Sequence, residues 1–389
     1  MPCYWGAYGD AIAQSPEIES ALDKARALQS SGRYTEAIPL FRRAVELAAL
    51  EFGEEHPDVA TIQTKLALLL HVYGQFDEAE RLYKHSLSAL EKSFGGDHEK
   101  VADTLNNLAK LYENTARYDK AEPLFKRSLA ILEKRLGTQH RKFASSLNNL
   151  AMFYMTQGQL DEAEPLFKRS SRITRQILGN KHPDLATLIN NLGEVYRLQG
   201  HLIYAESFYQ RALEIQRASL ASDHPSLANS MNGLALLYIA QHRYEDAEPL
   251  LKQALTILEK TRGPEHSKVA GIVNNLAELY RTQRRFEEAE SLLQRSLSVT
   301  EKIFGLDHPE AALALNNLAL LYKEQGRYGD AENLLLKALA ILEKPVGYEH
   351  AYLAGVLNNL AAFYQSVGQR TKAEEFYERS LALKSARKN

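Results

Sequence analysis

The sequence predicts an all-α fold: a right-handed superhelical solenoid of nine helix-turn-helix units with a 42-residue period. Three observations carry this. Leu147-Asn148-Asn149-Leu150-Ala151-Met152-Phe153-Tyr154 recurs 42 residues earlier, ending at Tyr112, and 42 later, ending at Tyr196; copies ending in Tyr238, Tyr280, Tyr322 and Tyr364 continue the series. Alanine recurs in the same register at Ala37, Ala79, Ala121, Ala163, Ala205, Ala247, Ala289, Ala331 and Ala373, nine marks for nine units. Within a unit the apolar residues fall at helical spacing. A fixed period of this length means stacked units that each contact only their neighbours, so 389 residues need not divide into two or three globular domains.

Residues 1–16 stand outside the repeat and 17–387 form the array. Ala11-Ile12-Ala13 has the small-x-small form of a leader cleavage site, but no charged start or apolar run precedes it. The expectation is a cytoplasmic protein, with export as the alternative if the start truncates a signal peptide. In the third unit Val101, Leu105, Leu108, Leu111 and Tyr112 are spaced by three and four, giving an amphipathic first helix. A turn follows, marked by glycine at Gly32, Gly74, Gly158, Gly200, Gly326 and Gly368 and by Ala116, His242 and Arg284 in the other three units. Asp119 and Glu122 resemble a capping box that opens the second helix, with Pro123, Pro165 and Pro249 in its first turn. The recurrent alanine fits a close helix crossing. Joints such as Phe304-Gly305-Leu306-Asp307-His308-Pro309 lead into the next unit, glycine ending one helix and proline starting the next.

This alternation resembles the tetratricopeptide repeat (TPR): a small residue in the first helix, such as Ala109 or Gly193, then Tyr112 or Tyr196, then the alanine of the second helix. The 42-residue form, with its Gly-x-x-His-Pro joint and Leu-Asn-Asn-Leu-Ala-x-Leu-Tyr, is similar to the TPR domain of kinesin light chains and related bacterial TPR proteins. The resemblance covers residues 17 to about 387. It implies that the first helices line a concave groove and that the second asparagine of each pair grips a ligand backbone. The long heptad region by which kinesin light chains hold the motor heavy chain has no counterpart in this sequence, so motor attachment is not implied.

Composition excludes several function classes. Basic residues number 47 and acidic residues 49, so no general attraction to nucleic acid or anionic membrane follows. No apolar run approaches the ~20 residues of a membrane span. Cys3 is the only cysteine, which rules out an intramolecular disulfide and a Cys-rich zinc site. No Gly-x-Ser-x-Gly elbow, phosphate loop or His-Glu-x-x-His is present. Catalytic residues, metals and cofactors are therefore not expected. His56, His98, His140, His182, His224, His266, His308 and His350 are 42 apart, too far from one another across ~10 Å helices to share an ion, and are expected to tie down the joints.

Asparagine is a poor helix former, yet it persists mid-helix. Asn107, Asn149, Asn191, Asn275, Asn317 and Asn359 are the expected peptide-binding residues, with Arg197, Arg281 and Lys323 reading the ligand's charge. Each amide offers two donors and an acceptor, suited to an extended backbone. The competing reading is that the asparagines bond across to the next unit and hold the superhelix. Gly233 interrupts the column. The expected function is a non-catalytic scaffold or adaptor that binds a protein or peptide partner, with no nucleic acid and no membrane. The alternatives are a regulatory ligand-sensing subunit for a partner enzyme or signalling protein, or a self-assembling array. The C-terminal helix, with Phe376, Leu381 and Leu383 lacking a following helix, predicts weak homo-oligomerisation.

Overall fold

The computed structural model describes residues 15–344 and 350–386. Cys3, the leader-like Ala11-Ile12-Ala13, Gly347 and the basic tail Arg387-Lys388 lie outside them, as do the side chains of His350 and Lys384. The chain forms two compact units, Met1–Asn107 and Leu108–Asn389, divided within one helix.

The first unit holds α1 (Pro16–Ser30), α2 (Tyr34–Phe52), α3 (Pro57–Val72), α4 (Phe76–Phe94) and the start of α5 (Glu99–Asn114). The second continues with α6 (Tyr118–Leu136), α7 (Arg141–Thr156), α8 (Leu160–Leu178), α9 (Pro183–Leu198) and α10 (Leu202–Ser219). It is completed by α11 (Pro225–Ala240), α12 (Tyr244–Arg262), α13 (Ser267–Thr282), α14 (Phe286–Phe304), α15 (Pro309–Glu324), α16 (Tyr328–Leu342), α17 (His350–Ser366) and α18 (Arg370–Ala386). All the described secondary structure is helical, in consecutive packed pairs. This is a TPR solenoid of about nine units.

In the second unit each first helix packs on its own second helix, as α9 on α10, and each second helix packs on the next first helix, as α10 on α11. Successive first helices also touch, α9 with α11 through to α15 with α17, and so form a continuous layer of their own. The alanines sit where the two helices of a pair cross. Ala37, Ala79, Ala121, Ala163, Ala205, Ala247, Ala289 and Ala331 are fully buried, and a larger side chain there would overpack by about 1–3 kcal/mol. Ala373, in the last helix, is only partly covered.

The turn inside a unit needs one residue with positive φ. Glycine supplies it at six turns, and Ala116, His242 and Arg284 adopt it at φ 55°, 59° and 60°, a conformation costing a non-glycine residue about 1–2 kcal/mol. At the joints, Gly53, Gly95, Gly137, Gly179, Gly263 and Gly305 combine φ of 77–91° with ψ of 150–176°. That is extended backbone of the wrong hand rather than the left-handed helical cap, and only glycine adopts it freely.

Two local expectations are corrected. Asp119 does not open a capping box: α6 starts at Tyr118, its N-cap is Arg117, and no side chain caps it. Glu122 instead points to the following unit. Because the second helices start that early, Pro123, Pro165 and Pro249 fall in the second turn, where each removes one helical hydrogen bond.

Candidate peptide-binding face

The joint histidines have a definite role. His56, His140, His182, His224, His266 and His308 are the N-caps of first helices, and the Nδ1 of each accepts the backbone N–H two residues on at 3.1–3.2 Å. His98 accepts from Lys100 N–H in the same way at 3.2 Å. This requires the neutral imidazole, because a protonated Nδ1 has no lone pair. Burial holds His266 and His308 down at about 4, with Arg262 and Lys268 adding to the effect at His266.

The tyrosine ending each first helix does more than fill core. Six hydroxyls donate to the glutamate that follows the buried alanine of the preceding unit: Tyr154 to Glu122, Tyr196 to Glu164, Tyr238 to Glu206, Tyr280 to Glu248, Tyr322 to Glu290 and Tyr364 to Glu332, at 2.7–3.0 Å. Arg243, Arg285 and Arg327 stack on Tyr238, Tyr280 and Tyr322 at 3.9, 3.8 and 3.6 Å and pair with the same glutamates. The Lys168 ammonium, with Gln199 and Tyr196, holds the Glu164 carboxyl down at about 2. Burial works against ionisation of Glu248, yet hydrogen bonds from Lys252, Arg285 and Tyr280 bring it to about 2. Helical spacing alone places these tyrosines at core positions. Glutamate at a fixed 32-residue distance from each tyrosine was the available signal.

The asparagines lie half-buried or buried on the first helices. The structure brings them together in pairs across joints. Asn191 Nδ2 donates to Asn148 Oδ1 at 2.9 Å, Asn275 to Asn232 at 2.7 Å and Asn359 to Asn316 at 2.8 Å. At the intervening joints no such bond forms among the described residues, and the buried oxygens of Asn190 and Asn274 have no partner. Asn190 faces a unit in which the donor position is Gly233. Asn316 instead donates weakly to its neighbour Asn317, at 3.4 Å. Asn107 is the last residue of the first compact unit, while Asn149 stands on α7.

Gly233 has a steric cause. A Cβ there would come within 2.6 Å of the Tyr209 ring, and one at Gly193 within 3.1 Å. Tyr209 is fully buried where later units carry Leu251, Leu293 and Leu335, and its hydroxyl donates to Glu194 at 2.7 Å. Both glycines make room for that ring.

The cations expected to read ligand charge are engaged. Arg197 grips Glu194 through two bonds of 2.8 and 2.6 Å. Arg281 grips Glu278 at 2.8 and 2.5 Å and also pairs with Glu324. Lys323 donates to the Ala362 carbonyl at 3.2 Å. The carboxylates raise both guanidinium pKa values, Glu194 being the main cause at Arg197 and Glu278 at Arg281. On the second-helix side, a cleft of about 460 Å³ between α10 and α12 is floored by Leu213, Leu234 and Pro249 and rimmed by Glu214, Arg217 and Asp246. No helix among the described residues is long and apolar enough to cross a membrane.

Stacked helix pairs presenting an amide-lined layer define a protein–protein interaction scaffold, a fold that is generally non-catalytic. The Tetratricopeptide repeat family matches residues 17–92, 60–134, 142–203, 203–260 and 268–344, and a second model of the same description matches 353–385. The chain belongs to that family. Among solved structures it is similar to BtubC (BKLC) from P. vanneervenii, with 27% identity over 58% of this chain and 91% of that one and a TM-score of 0.48. It is also similar to a Podosopora anserina putative kinesin light chain with nearly identical TPR-like repeats, at 29% identity over 52% and 96% and a TM-score of 0.44. A Rap protein complexed with Competence and Sporulation Factor shares the fold at 16% identity, over 96% and 99%, with a TM-score of 0.56. No curated protein matches the chain.

Proposed function

We propose that this scaffold binds a peptide segment of a partner protein on the first-helix face of α7 to α17. The observation that carries this is the column of half-buried amides from Asn148 to Asn359. Three of its five joints close on themselves, but Asn190 and Asn274 keep buried oxygens without donors. An unsatisfied buried acceptor costs about 1–3 kcal/mol, and a ligand backbone N–H would relieve it once the amide turns outward. Asn149 and Asn317 are the best positions for gripping a ligand, since Asn191, Asn275 and Asn359 are already committed to bonds between units. The proposed face is confined to the second compact unit, and Asn107 belongs to the first. Arg197 and Arg281 border the site with their charge already met by carboxylates, and Lys323 borders it held only by the Ala362 carbonyl. That a Rap protein of this fold is known in complex with Competence and Sporulation Factor agrees with such a role.

The test is selection of phage-displayed peptides against the full chain, followed by titration of a selected peptide onto Asn149→Ala/Asn317→Ala. Loss of about one hydrogen bond at each amide predicts at least tenfold weaker binding with unchanged helicity. Equal binding to the variant, or cross-linking of the peptide to the α10–α12 cleft, would put the site on the second-helix side.

A further inference from the structure

The asparagine that opens each column position heads a stripe formed by the residues four and seven further on, which share its helix face. The chemistry of these stripes alternates. In α7 the stripe is Met152 and Met155, and in α11 it is Leu236 and Ile239, all half-buried. Between them, α9 carries Glu194 and Arg197, and α13 carries Glu278 and Arg281. In α15 the stripe is mixed, Leu320 before Lys323, and in α17 it is the uncharged Ala362 and Gln365, so the strict alternation runs from α7 to α13. The amide bonds follow the same rhythm: Asn148, Asn232 and Asn316, each heading a stripe that begins apolar, accept from Asn191, Asn275 and Asn359. From α7 to α13 the stripes therefore repeat every two units, and the amide bonds keep that rhythm to Asn359, although the fold repeats every one.

We infer that the ligand of this face is an uncharged extended segment with apolar anchors, seated on the Met152, Leu236–Ile239 and Leu320 stripes, and that the arginine-bearing stripes between them are spacers rather than readers of acidic side chains. This rests on the reading of the first-helix layer as the binding face. Charge complementarity decides the class of occupant. Arg197 and Arg281 are each matched by a bidentate carboxylate, and Arg281 by a second one, so an acidic ligand would have to displace Glu194, Glu278 and Glu324 to reach them. Displacing Glu194 would also strip the Tyr209 hydroxyl of its acceptor. An uncharged segment leaves all these pairs intact and covers the half-buried methionine, leucine and isoleucine side chains. Neighbouring packed helices lie about 8–10 Å apart, so alternate first helices stand about 16–20 Å apart. At about 3.3 Å per residue, anchors on successive apolar stripes are about five or six residues apart in the ligand.

The experiment uses the full chain and synthetic peptides of about twelve residues, read by fluorescence polarisation, long enough to reach two apolar stripes. One series is neutral, with two leucines in an Asn/Ser/Gly background at separations from two to eight; the other carries the same leucines in an Asp/Glu background. The neutral series should bind best at a separation of five or six. Leu236→Ser/Ile239→Ser should weaken that peptide by about tenfold or more, while Glu278→Ala/Arg281→Ala should change its affinity by less than about threefold. The separation series on the unaltered protein retains its force even if the serine variant folds poorly. Preference for the acidic series, abolished by Arg197→Ala or Arg281→Ala, would overturn this inference and leave peptide binding on the face standing. Binding of neither series would count against both. Neutral binding indifferent to leucine separation would overturn the two-unit spacing.

Discussion

On one side of each joint a tyrosine hydroxyl meets a glutamate at every step from Tyr154 to Tyr364. On the first-helix face an asparagine meets an asparagine only at every second step. Both contacts join neighbouring units by side-chain hydrogen bonds, and both recur in register. They differ in what else their residues must satisfy. The glutamates are enclosed among tyrosine, lysine and arginine supplied by the chain, and any unit that lost one would leave a charge poorly paired. The asparagines border a surface whose occupant lies outside the chain, so their surroundings can vary from unit to unit. A strictly repeated contact marks a joint; one that alternates marks a face with a second requirement.

The sharpest way to break that contrast is to force the interrupted joint into line. Gly233→Asn would offer the missing donor to Asn190 but drive a Cβ into the Tyr209 ring. It should destabilise the chain by about 1–3 kcal/mol through overpacking, read as a lower midpoint in urea. Tyr209→Leu, the residue type of the three following units, should offset most of that loss in the double variant. A Gly233→Asn protein as stable as the parent would show that the ring does not dictate the glycine.

Acid should separate the joints from the amide column. His266 and His308 have folded pKa values of about 4 against an ordinary 6.5, so their contribution is complete above 6.5 and is lost as pH falls toward 4. Glu164 and Glu248, at about 2 against 4.5, lose theirs as pH falls from 4.5 toward 2. Thermal melts across this range should decline in two stages. His266→Asn/His308→Asn keeps a good N-cap and should flatten the upper stage only. Asparagines do not titrate, so the face itself should contribute to neither.

A smaller effect is expected from a single seam bond. Tyr280→Phe should cost about 0.5–1.5 kcal/mol, with a similar cost at each equivalent tyrosine. Costs differing widely between Tyr196, Tyr280 and Tyr364 would contradict the uniformity of that side. Smallest, and of opposite sign, is Arg284→Gly, which removes a positive-φ side chain that lies over Phe286 and makes neither seam contact itself. It should stabilise by up to about 1 kcal/mol, and a loss of stability would mean the arginine does more than turn the chain.

Most of the fold is readable in the sequence because its period is written in residue types with few alternatives: alanine at the crossing, glycine at the joint, proline and histidine at the helix start. The start of each second helix is misread because Asp119 and Glu122 mimic a capping box. The true N-cap, Arg117, makes no side-chain cap and leaves no signature. The candidate site is half legible. Asparagine in mid-helix calls for an explanation: Asn191, Asn275 and Asn359 join units, as the competing reading expects, and the grip on a ligand stands as the proposal made above. The roles expected of Arg197 and Arg281 follow from their charge, and the nearby Glu194 and Glu278 already speak against a strongly acidic ligand in every unit. Their pairing with Glu194 and Glu278 stands three residues away in the sequence, and the alternation with Met152 and Leu236 becomes visible only when units are compared two at a time. Gly233 could not be explained from its own helix, because its cause, Tyr209, lies on another.

The two-unit rhythm bears on how such a chain can grow or shrink. Excising 42 residues from the array preserves the tyrosine–glutamate contact at the new junction, yet it sets two like stripes side by side and puts every later stripe out of step. Excising twice that length restores the order. As an edifice the array can be edited one storey at a time, whereas the pattern it shows to a visitor is inherited only in even numbers.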